Sequence, residues 1–283
     1  MTLLLTGATG QVGSIVARNL LDRGHRVRAL VRDPGAAAAR LGTDIEYVRG
    51  DLEDPATLPT ALKGVDAAYL ATAPSPEMTR QEANFIEAAA GTGLPRLVAL
   101  GVIGTDPSVP IFKFHQDIEA KITASGIPAT LLRPAGFYSS FLFMAKMIQA
   151  GVLPSAAGDG GLAWVDHADV AGVATAVLLD GPRHVGQVVE ITGPVALTSD
   201  DVAAALERAL GHPVAHQRLD ERTLQVQLAS FGLPGWLVDS FLGQQRLTRE
   251  DRLSKVTGTV ENVLGRPPRT FDQWLAENKG AFA

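Results

Sequence analysis

The sequence predicts an α/β protein whose first half is a parallel β-sheet with helices on both faces. Short aliphatic runs alternate with longer segments of helical period between Thr2 and Arg133. Two of these runs, residues 3–5 and 129–132, lack the alternation of apolar and polar side chains that a half-exposed strand shows. Strands of this kind are covered on both faces, and their alternation with helices is typical of a doubly wound sheet.

Six strands and five helices are predicted in this half of the chain. The predicted strands are residues 2–6, 26–31, 45–49, 66–71, 96–100 and 128–133. The predicted helices are residues 11–23, 36–41, 55–62, 77–92 and 112–125. A helix therefore links each strand to the next, which is the connection that neighbouring parallel strands require.

The pattern changes after the sixth strand, where helices and turns replace the regular alternation. The predicted elements are a helix over 137–149, a loop over 151–161, an apolar run over 162–165, a helix over 169–179, a strand over 188–192 and a helix over 200–210. Ser199 or Asp200 is expected to cap the last helix. We expect two domains, residues 1–133 and a smaller, mostly helical lobe over 134–283, with segments at about 162–192 returning to the first domain.

The composition excludes several classes of protein. The chain has no cysteine, which removes thiol nucleophiles and thiolate metal sites and is compatible with a cytoplasmic protein. Its net charge is -5 and it has no dense block of Lys and Arg, so nucleic acid is not expected as a partner. The chain contains no run of about 18 apolar residues, so no membrane-spanning helix is predicted. It also contains no G-x-S-x-G segment, so a hydrolase is not expected.

A glycine-rich segment stands where the first strand turns into the first helix. Its glycines recur at every third position, which lets the backbone turn tightly and approach a pyrophosphate. The start of the following helix supplies free N–H groups and a positive potential. We therefore predict that residues 1–133 form a Rossmann-type dinucleotide-binding core. The predicted phosphate-side residues are Thr6, Gly7, Thr9, Gly10, Gln11, Val12 and Gly13.

The end of the second strand indicates which dinucleotide is bound. An acidic residue at this place accepts a hydrogen bond from a ribose 2′-hydroxyl, whereas an arginine suits a 2′-phosphate. Here Val31 occupies the usual acidic position and Arg32 follows it, which favours NADP(H) over NAD(H). Asp33 would repel the phosphate unless its carboxylate caps the turn before Pro34.

These motifs, taken in order over most of the chain, resemble the NmrA-like branch of the atypical short-chain dehydrogenases/reductases. That branch includes NADPH-dependent quinone reductases and triphenylmethane dye reductases. The further matching segments are residues 50–52, 70–73, 115–119, 125–137 and 164–171. The resemblance implies cofactor contacts from Asp51, Leu52, Ala71, Thr72, Ala73, His115 and Phe137.

The chain departs from ordinary short-chain dehydrogenases at the catalytic triad. Gly101 and Val102 replace the serine pair, His115 occupies the lysine-like position, and Ile111 stands where a tyrosine is expected. Without an acid beside it an alkoxide is too basic to form, so alcohol or ketone chemistry is disfavoured. An acceptor with its own electron sink needs little acid help. His115 is expected either to hydrogen-bond a nicotinamide ribose hydroxyl or to relay a proton, and Tyr138 is a second candidate donor.

Aromatic side chains concentrate near the ends of the fifth and sixth strands, although only 6% of the chain is aromatic. They are Phe112, Phe114, Phe137, Tyr138, Phe141, Phe143 and Trp164. A wall of this kind suits a flat, apolar ligand. The predicted substrate pocket consists of Phe112, Phe137, Tyr138, Phe141 and Trp164. The alternative for Phe141 and Phe143 is that they only pack the inserted helix onto the core.

The expected function is an NADP(H)-dependent reductase that transfers hydride to a quinone, imine, dye or activated alkene. The alternative is a dinucleotide-binding redox sensor that does no chemistry and acts through a protein partner. We expect a small apolar or aromatic substrate, and a homodimer stays open. No metal site is expected. Pro213 prevents a helix that would align His212 with His216, and Asp166 and Asp169 stand near a helix start, where such residues cap.

Overall fold

The computed structural model describes residues 1–282, and its central sheet confirms the predicted α/β class. The strands are β1 (Thr2–Leu5), β2 (Arg26–Val31), β3 (Glu46–Arg49), β4 (Ala67–Leu70), β5 (Leu97–Leu100), β6 (Ala129–Pro134), β7 (Val152–Ser155), β8 (Val188–Ile191) and β9 (Ala215–Arg218). Seven of them form a sheet in the order β3-β2-β1-β4-β5-β6-β8, and β7 pairs with β9 in a second sheet. All six strands predicted in the first half are present.

The order of the large sheet reverses between β1 and β4, which is where doubly wound sheets bind dinucleotides. The strand pairs from β3 to β6 are parallel, with Leu3 opposite Val27 on one side of β1 and opposite Ala67 on the other. The three leucines at 3–5 are fully buried, and so are all residues of β4. Burial on both faces explains why these strands are continuous apolar runs.

Twelve α-helices accompany the strands in residues 1–282. They are α1 (Gln11–Asp22), α2 (Pro34–Leu41), α3 (Leu58–Leu62), α4 (Met78–Thr92), α5 (Pro110–Ser125), α6 (Ala145–Gln149), α7 (His167–Leu179), α8 (Ser199–Leu210), α9 (Glu221–Ser230), α10 (Gly235–Arg249), α11 (Thr259–Leu264) and α12 (Phe271–Asn278). Short 3₁₀ helices cover Pro55–Thr57, Tyr138–Met144, Gly181–His184 and Lys279–Phe282. None of the helices in these residues combines the length and apolar character needed to cross a membrane.

The chain divides into two compact units. The first unit contains residues 1–101, 114–133 and 170–189, and the second contains residues 102–113, 134–169 and 190–283. Residues 102–113, which the sequence prediction placed in the first domain, therefore cluster with the second unit. The two units are of nearly equal length.

Three local expectations for the second half are wrong. The helix predicted over 137–149 is a 3₁₀ helix followed by α6, because the buried side chains of Tyr138, Phe141 and Met144 recur every three residues, the 3₁₀ period. The predicted loop over 151–161 contains β7, whose pairing partner β9 lies about sixty residues later. Thr198, rather than Ser199 or Asp200, caps α8 through a capping box with Asp201.

Candidate cofactor and acceptor sites

The glycine loop, residues 6–13 in the first unit, is closed by backbone contacts at each of its glycines. Gly7 has a φ of +58°, and a Cβ there would lie 2.7 Å from the carbonyl oxygen of Ala71. A Cβ at Gly13 would lie 2.2 Å from the carbonyl oxygen of Gly7. The Gly10 amide donates to the same oxygen at 2.8 Å. Side chains at these positions would force the turn open, so the loop requires glycine for steric reasons.

The start of α1 offers donors for an anion. Gly10 is its N-cap, no side-chain hydrogen bond caps it, and its first turn has no acidic residue. The first amides of a helix have no partner within the helix, and its positive end faces the same way. Gly7, Gly10 and Gln11 are exposed here, whereas Thr6 and Val12 are buried. The exposed members can meet a phosphate directly, and the buried ones hold the loop in place.

Thr6 joins the glycine loop to the end of β4. Its hydroxyl donates to the carbonyl oxygen of Ala71 and accepts from the Ala71 amide, both at 2.8 Å. The next residue, Thr72, donates its hydroxyl proton to Oε1 of Glu82 at 2.7 Å. Both threonines are thus engaged within the protein, while Ala73 is exposed. Glu82 was missed from the sequence, although an acidic residue among the apolar positions of α4 is a visible signal.

The Asp33 carboxylate at the end of β2 caps the following helix, which is one of the two alternatives considered for it. Its carboxylate Oδ1 accepts from the Ala36 amide at 3.0 Å and caps α2, with Pro34 in the first turn. Arg32 is exposed beside this cap. Arg49, at the end of β3, pairs in register with Val31 and is exposed as well. The strand ends therefore present two guanidinium groups, and the second was not predicted.

Asp51 and Leu52 form a turn that follows β3. The Asp51 side chain accepts from the Glu53 amide at 3.0 Å, and its own amide donates to the Thr57 hydroxyl at 3.1 Å. The carbonyl oxygen of Leu52 accepts from the side-chain amide Nδ2 of Asn84 at 2.8 Å. The turn is thereby tied to α4, and both predicted residues stay half-buried at the carboxyl edge of the sheet.

An ion pair lies beside Gly101, one of the two residues that replace the serine pair. Glu119 on α5 binds Arg133 through both of its carboxylate oxygens. A Cβ on Gly101 would lie 3.0 Å from Oε1 of Glu119. The carboxylate thus occupies the space beside the end of β5. Burial lowers the pKa of His115, one turn earlier on α5, to about 4, so its imidazole is neutral at physiological pH.

The second unit contains an aromatic cluster formed by Tyr138, Phe141, Trp164, Phe271 and Trp274. Phe141 packs against Trp164 with ring centres 4.8 Å apart and against Phe271 at 5.3 Å. Tyr138 contacts Phe271 at 5.2 Å, and Phe271 stacks on Trp274 at 5.7 Å. The cluster therefore brings together three of the predicted pocket residues with two residues of α12 that sequence reasoning missed.

Tyr138 is held inside this cluster. Its hydroxyl donates to the carbonyl oxygen of Arg269 at 3.2 Å, and the side chain is 1% exposed. Burial, followed by the charges of Asp166 and Asp169, raises the pKa of Tyr138 well above its ordinary value. A phenol that is this buried and this weakly acidic is poorly placed to protonate a substrate, so the geometry favours a structural role.

Phe137 has a different environment from its neighbour. Its ring stacks on His167 with centres 4.1 Å apart, and its backbone bridges to Val165. Nε2 of His167 lies 3.4 Å from the hydroxyl of Ser139, and burial lowers the pKa of His167 to about 4. All three side chains are half-buried. Phe137 therefore keeps a partly open face, and a neutral imidazole beside it is a polar group that sequence reasoning did not assign.

The remaining aromatic residues noted in the sequence differ widely in their exposure. Phe112 is buried under Gly104, where a Cβ would lie 2.5 Å from its ring. Phe143, considered as a packing residue, is instead 78% exposed. Phe141 and Trp164 line a cavity that ends at the buried amide of Gln245. This cavity has room for roughly two water molecules, so a ring-sized acceptor does not fit it as it stands.

Comparison with known proteins identifies the lineage of the chain. The model of the NmrA-like family matches residues 1–275. The chain belongs to the NmrA-like family.

Three relatives of this NmrA-like protein align with nearly the whole chain. An NAD(P)H azoreductase of Xenophilus azovorans is 33% identical over 283 residues, which cover 99% of each chain. A (4-alkanoyl-5-oxo-2,5-dihydrofuran-3-yl)methyl phosphate reductase of Streptomyces griseus is 37% identical, again over 99% of each chain. The structure of an NADPH-dependent quinone oxidoreductase from Escherichia coli, complexed with NADPH, superposes with a TM-score of 0.90 at 30% identity and covers 97% of this chain and 99% of that one. The predicted family and fold are therefore confirmed.

The D-x-x-D segment of this NmrA-like chain is part of the architecture of the second unit. Asp166 accepts from the Ala168 amide at 2.7 Å at the start of α7, and its other oxygen binds Arg269 at 2.9 Å. Asp169 is fully buried, accepts from the Arg269 amide at 2.7 Å and pairs with Arg266. Nowhere in residues 1–282 do three or more acidic or histidine side chains form a group that could hold a metal.

Proposed function

We propose that this NmrA-like protein is an NADP(H)-dependent reductase that transfers hydride to a small, conjugated, apolar acceptor. The glycine loop carries this proposal, because its closed turn and the uncapped start of α1 fit a pyrophosphate. The reductases and the quinone oxidoreductase among its relatives support the same class of reaction. A cytoplasmic location and a homodimer stay predictions.

Each group of residues in the first unit has a proposed task. Bound NADPH supplies the hydride, and the protein holds and orients it. The loop amides hold the phosphates, and Arg32 with Arg49 meets the 2′-phosphate, since guanidinium groups match phosphate geometry. Asp51, Leu52 and the segment 71–73 line the adenosine. His115, being neutral, donates or accepts one hydrogen bond at a nicotinamide ribose hydroxyl. Phe137 stays a predicted contact of the nicotinamide.

The acceptor class follows from what surrounds the end of β5. Ile111 stands where the proton-donating tyrosine is expected. The Glu119 carboxylate beside Gly101 is bound to the Arg133 guanidinium and is no proton donor. Hydride transfer to a simple ketone would leave an alkoxide with no proton donor beside it. Quinones, imines, dyes and activated alkenes spread the incoming electron pair over a conjugated system and take their proton from water later. We therefore place the substrate in this chemical class.

The test is NADPH oxidation, followed spectroscopically, with a panel of quinones, azo and triphenylmethane dyes, imines and simple ketones. We expect turnover with one or more conjugated acceptors and none with the simple ketones. Tight NADPH binding without turnover on any acceptor, together with a co-purifying protein partner, would instead favour a redox sensor. Turnover confined to simple ketones would contradict the proposed acceptor class.

The cofactor preference is tested by Arg32→Glu, with Arg40→Glu on the exposed end of α2 as the matched control. Loss of a charge-assisted contact to the 2′-phosphate should weaken NADPH binding about tenfold to a hundredfold. NADH has no such phosphate, and its dissociation constant should change far less. Arg40→Glu should alter neither constant by more than about twofold. Equal losses for both coenzymes in Arg32→Glu would contradict the NADP(H) preference.

A further inference from the structure

Glu82 is a buried carboxyl group that the proposed function does not use. It lies in α4 on the apolar face formed with Met78, Phe85 and Ile86, and it is 0% exposed. Its Oε1 accepts the Thr72 hydroxyl, but its Oε2 has no hydrogen-bond partner. The Tyr69 hydroxyl, also fully buried, lacks a partner as well, and it lies close enough to Glu82 for that carboxylate to add to the rise in the pKa of Tyr69 caused by burial. Unsatisfied buried polar atoms are costly, and two in one cluster require an explanation.

This cluster is connected to the glycine loop through consecutive contacts. Glu82 binds Thr72, and the neighbouring Ala71 exchanges two hydrogen bonds with Thr6. The Ala71 carbonyl oxygen is also the atom that a Cβ on Gly7 would approach to 2.7 Å. Only the segment Ala71–Thr72 therefore lies between the Glu82 carboxyl group and the backbone of the glycine loop.

No cation compensates the charge of Glu82 in the described part of the chain. The helix α3 and the 3₁₀ helix Pro55–Thr57, which pack against α4, contain no titratable residue. In β4 the one titratable group is Tyr69, and on α4 the guanidinium of Arg80 pairs with Glu53 at 3.1 Å while Glu87 is exposed. The turn that Asn84 binds adds two further acidic groups, Asp51 and Asp54, and no cation. Burial raises the pKa of Glu82 to about 7, opposed only in part by the hydrogen bonds with Thr72. Its charge therefore changes near neutral pH.

We propose that Glu82 makes binding of the phosphorylated dinucleotide proton-linked, with the cofactor binding the form of the protein in which this carboxyl group is neutral. The inference rests on the proposed function, because it needs an anionic cofactor on the glycine loop. An uncompensated carboxylate in the protein interior repels nearby phosphates more strongly than it would in water. Protonation removes that repulsion and gives the carboxyl group an O–H donor inside the cluster.

The direction of the pH dependence follows from linkage. If the cofactor prefers neutral Glu82, binding takes up a proton, and affinity falls as the pH rises through the range in which free Glu82 ionises. Above pH 7.5 the 2′-phosphate of NADPH is almost fully ionised, because its second pKa is about 6. A loss of affinity between pH 7.5 and pH 9 then reports on the protein rather than on the cofactor.

The experiment is calorimetric titration of the full-length protein with NADPH at pH 7.5 and pH 9, in two buffers of different ionisation enthalpy. Wild-type protein should take up a proton on binding at pH 7.5 and should bind about tenfold more weakly at pH 9 than at pH 7.5. Glu82→Gln, which mimics the neutral form, should show no uptake and change less than about twofold over the same range. Glu87→Gln, an exposed control on the same helix, should behave as wild type.

A second variant keeps the inference testable if Glu82→Gln does not fold. Thr72→Val removes a hydrogen bond that stabilises the carboxylate, so the fall in affinity should move to higher pH. An unchanged midpoint, absence of proton uptake in wild type, or equal pH dependence in wild type and Glu82→Gln would overturn the inference. Each of these outcomes would still show that the protein binds NADPH, so it would contradict the proton linkage and not the proposed function. Failure of wild type to bind NADPH at any pH would refute the proposed function itself.

Discussion

The glycine loop and the aromatic cluster both stood out in the sequence as binding features, but they differ in how the structure uses them. In the glycine loop the unusual residues are exposed or support an exposed turn, and a Cβ at Gly7 or Gly13 would strike backbone atoms. In the aromatic cluster Phe141 packs against Trp164, and both Tyr138 and Phe141 pack against Phe271 of α12. The glycine spacing thus reflects a turn that requires glycine, whereas the enrichment in aromatic rings reflects a packed cluster.

The largest effect on stability is expected from Phe271→Ala, which tests whether the aromatic cluster is packed. Phe271 is 4% exposed and contacts Tyr138, Phe141 and Trp274, so its truncation leaves a cavity in the cluster. We expect a loss of about 3–5 kcal/mol in the free energy of unfolding, measured by denaturant titration. The matched control, Phe143→Ala at a 78% exposed position, should change it by less than about 0.5 kcal/mol. A loss below about 1 kcal/mol in Phe271→Ala would show that the cluster is not packed as described.

A smaller effect is expected from restoring a serine at the end of β5. In Gly101→Ser the new Cβ lies 3.0 Å from Oε1 of Glu119, so the ion pair with Arg133 must shift. We expect a destabilisation of about 1–2 kcal/mol and no gain of alcohol dehydrogenase activity. The same substitution in a Glu119→Ala background should lose most of that penalty, since the clashing atom is gone. Additive penalties in the double variant would contradict the close approach.

The smallest effect is expected from Tyr138→Phe. The variant loses one hydrogen bond to the Arg269 carbonyl, which should cost about 1 kcal/mol of stability. Turnover with a conjugated acceptor should stay within about twofold of wild type if the phenol has the structural role that its burial favours. A catalytic acid would behave differently, with a fall in turnover of about a hundredfold or more. Steady-state kinetics of purified, folded variant therefore distinguishes the two roles.

The sequence predicted the large sheet well because burial on both faces imposes an apolar pattern that is local. The run at Leu3–Leu5 could be recognised without knowing its neighbours in the sheet. The expectation for residues 129–132 is wrong in this respect, because buried and half-buried residues alternate along β6. The glycine loop was recognisable for a related reason, since its three glycines and the close approach of Gly13 to Gly7 lie within eight residues. The cap formed by Asp33 was weighed from the adjacent Pro34 and could be decided only by the hydrogen bond to Ala36.

What the sequence could not show depends on contacts between distant residues. The strand β7 forms because β9 pairs with it, and neither has a strong pattern of its own. Phe271 and Trp274 join the aromatic cluster from the end of the chain. The close approach of Glu119 to Gly101 accompanies the ion pair between Glu119 and Arg133, which the sequence alone does not reveal. These features follow from tertiary packing, which local periodicity does not encode.

The most direct test of cofactor binding on the glycine loop is the dissociation constant of NADPH for Gly13→Ala against Gly91→Ala. A Cβ at Gly13 would lie 2.2 Å from the Gly7 carbonyl oxygen, whereas one at Gly91 in α4 meets nothing within 4 Å. We predict that Gly13→Ala weakens NADPH binding at least about a hundredfold, because the loop must open, and that Gly91→Ala binds as wild type. Wild-type affinity in folded Gly13→Ala would contradict a phosphate site on this loop.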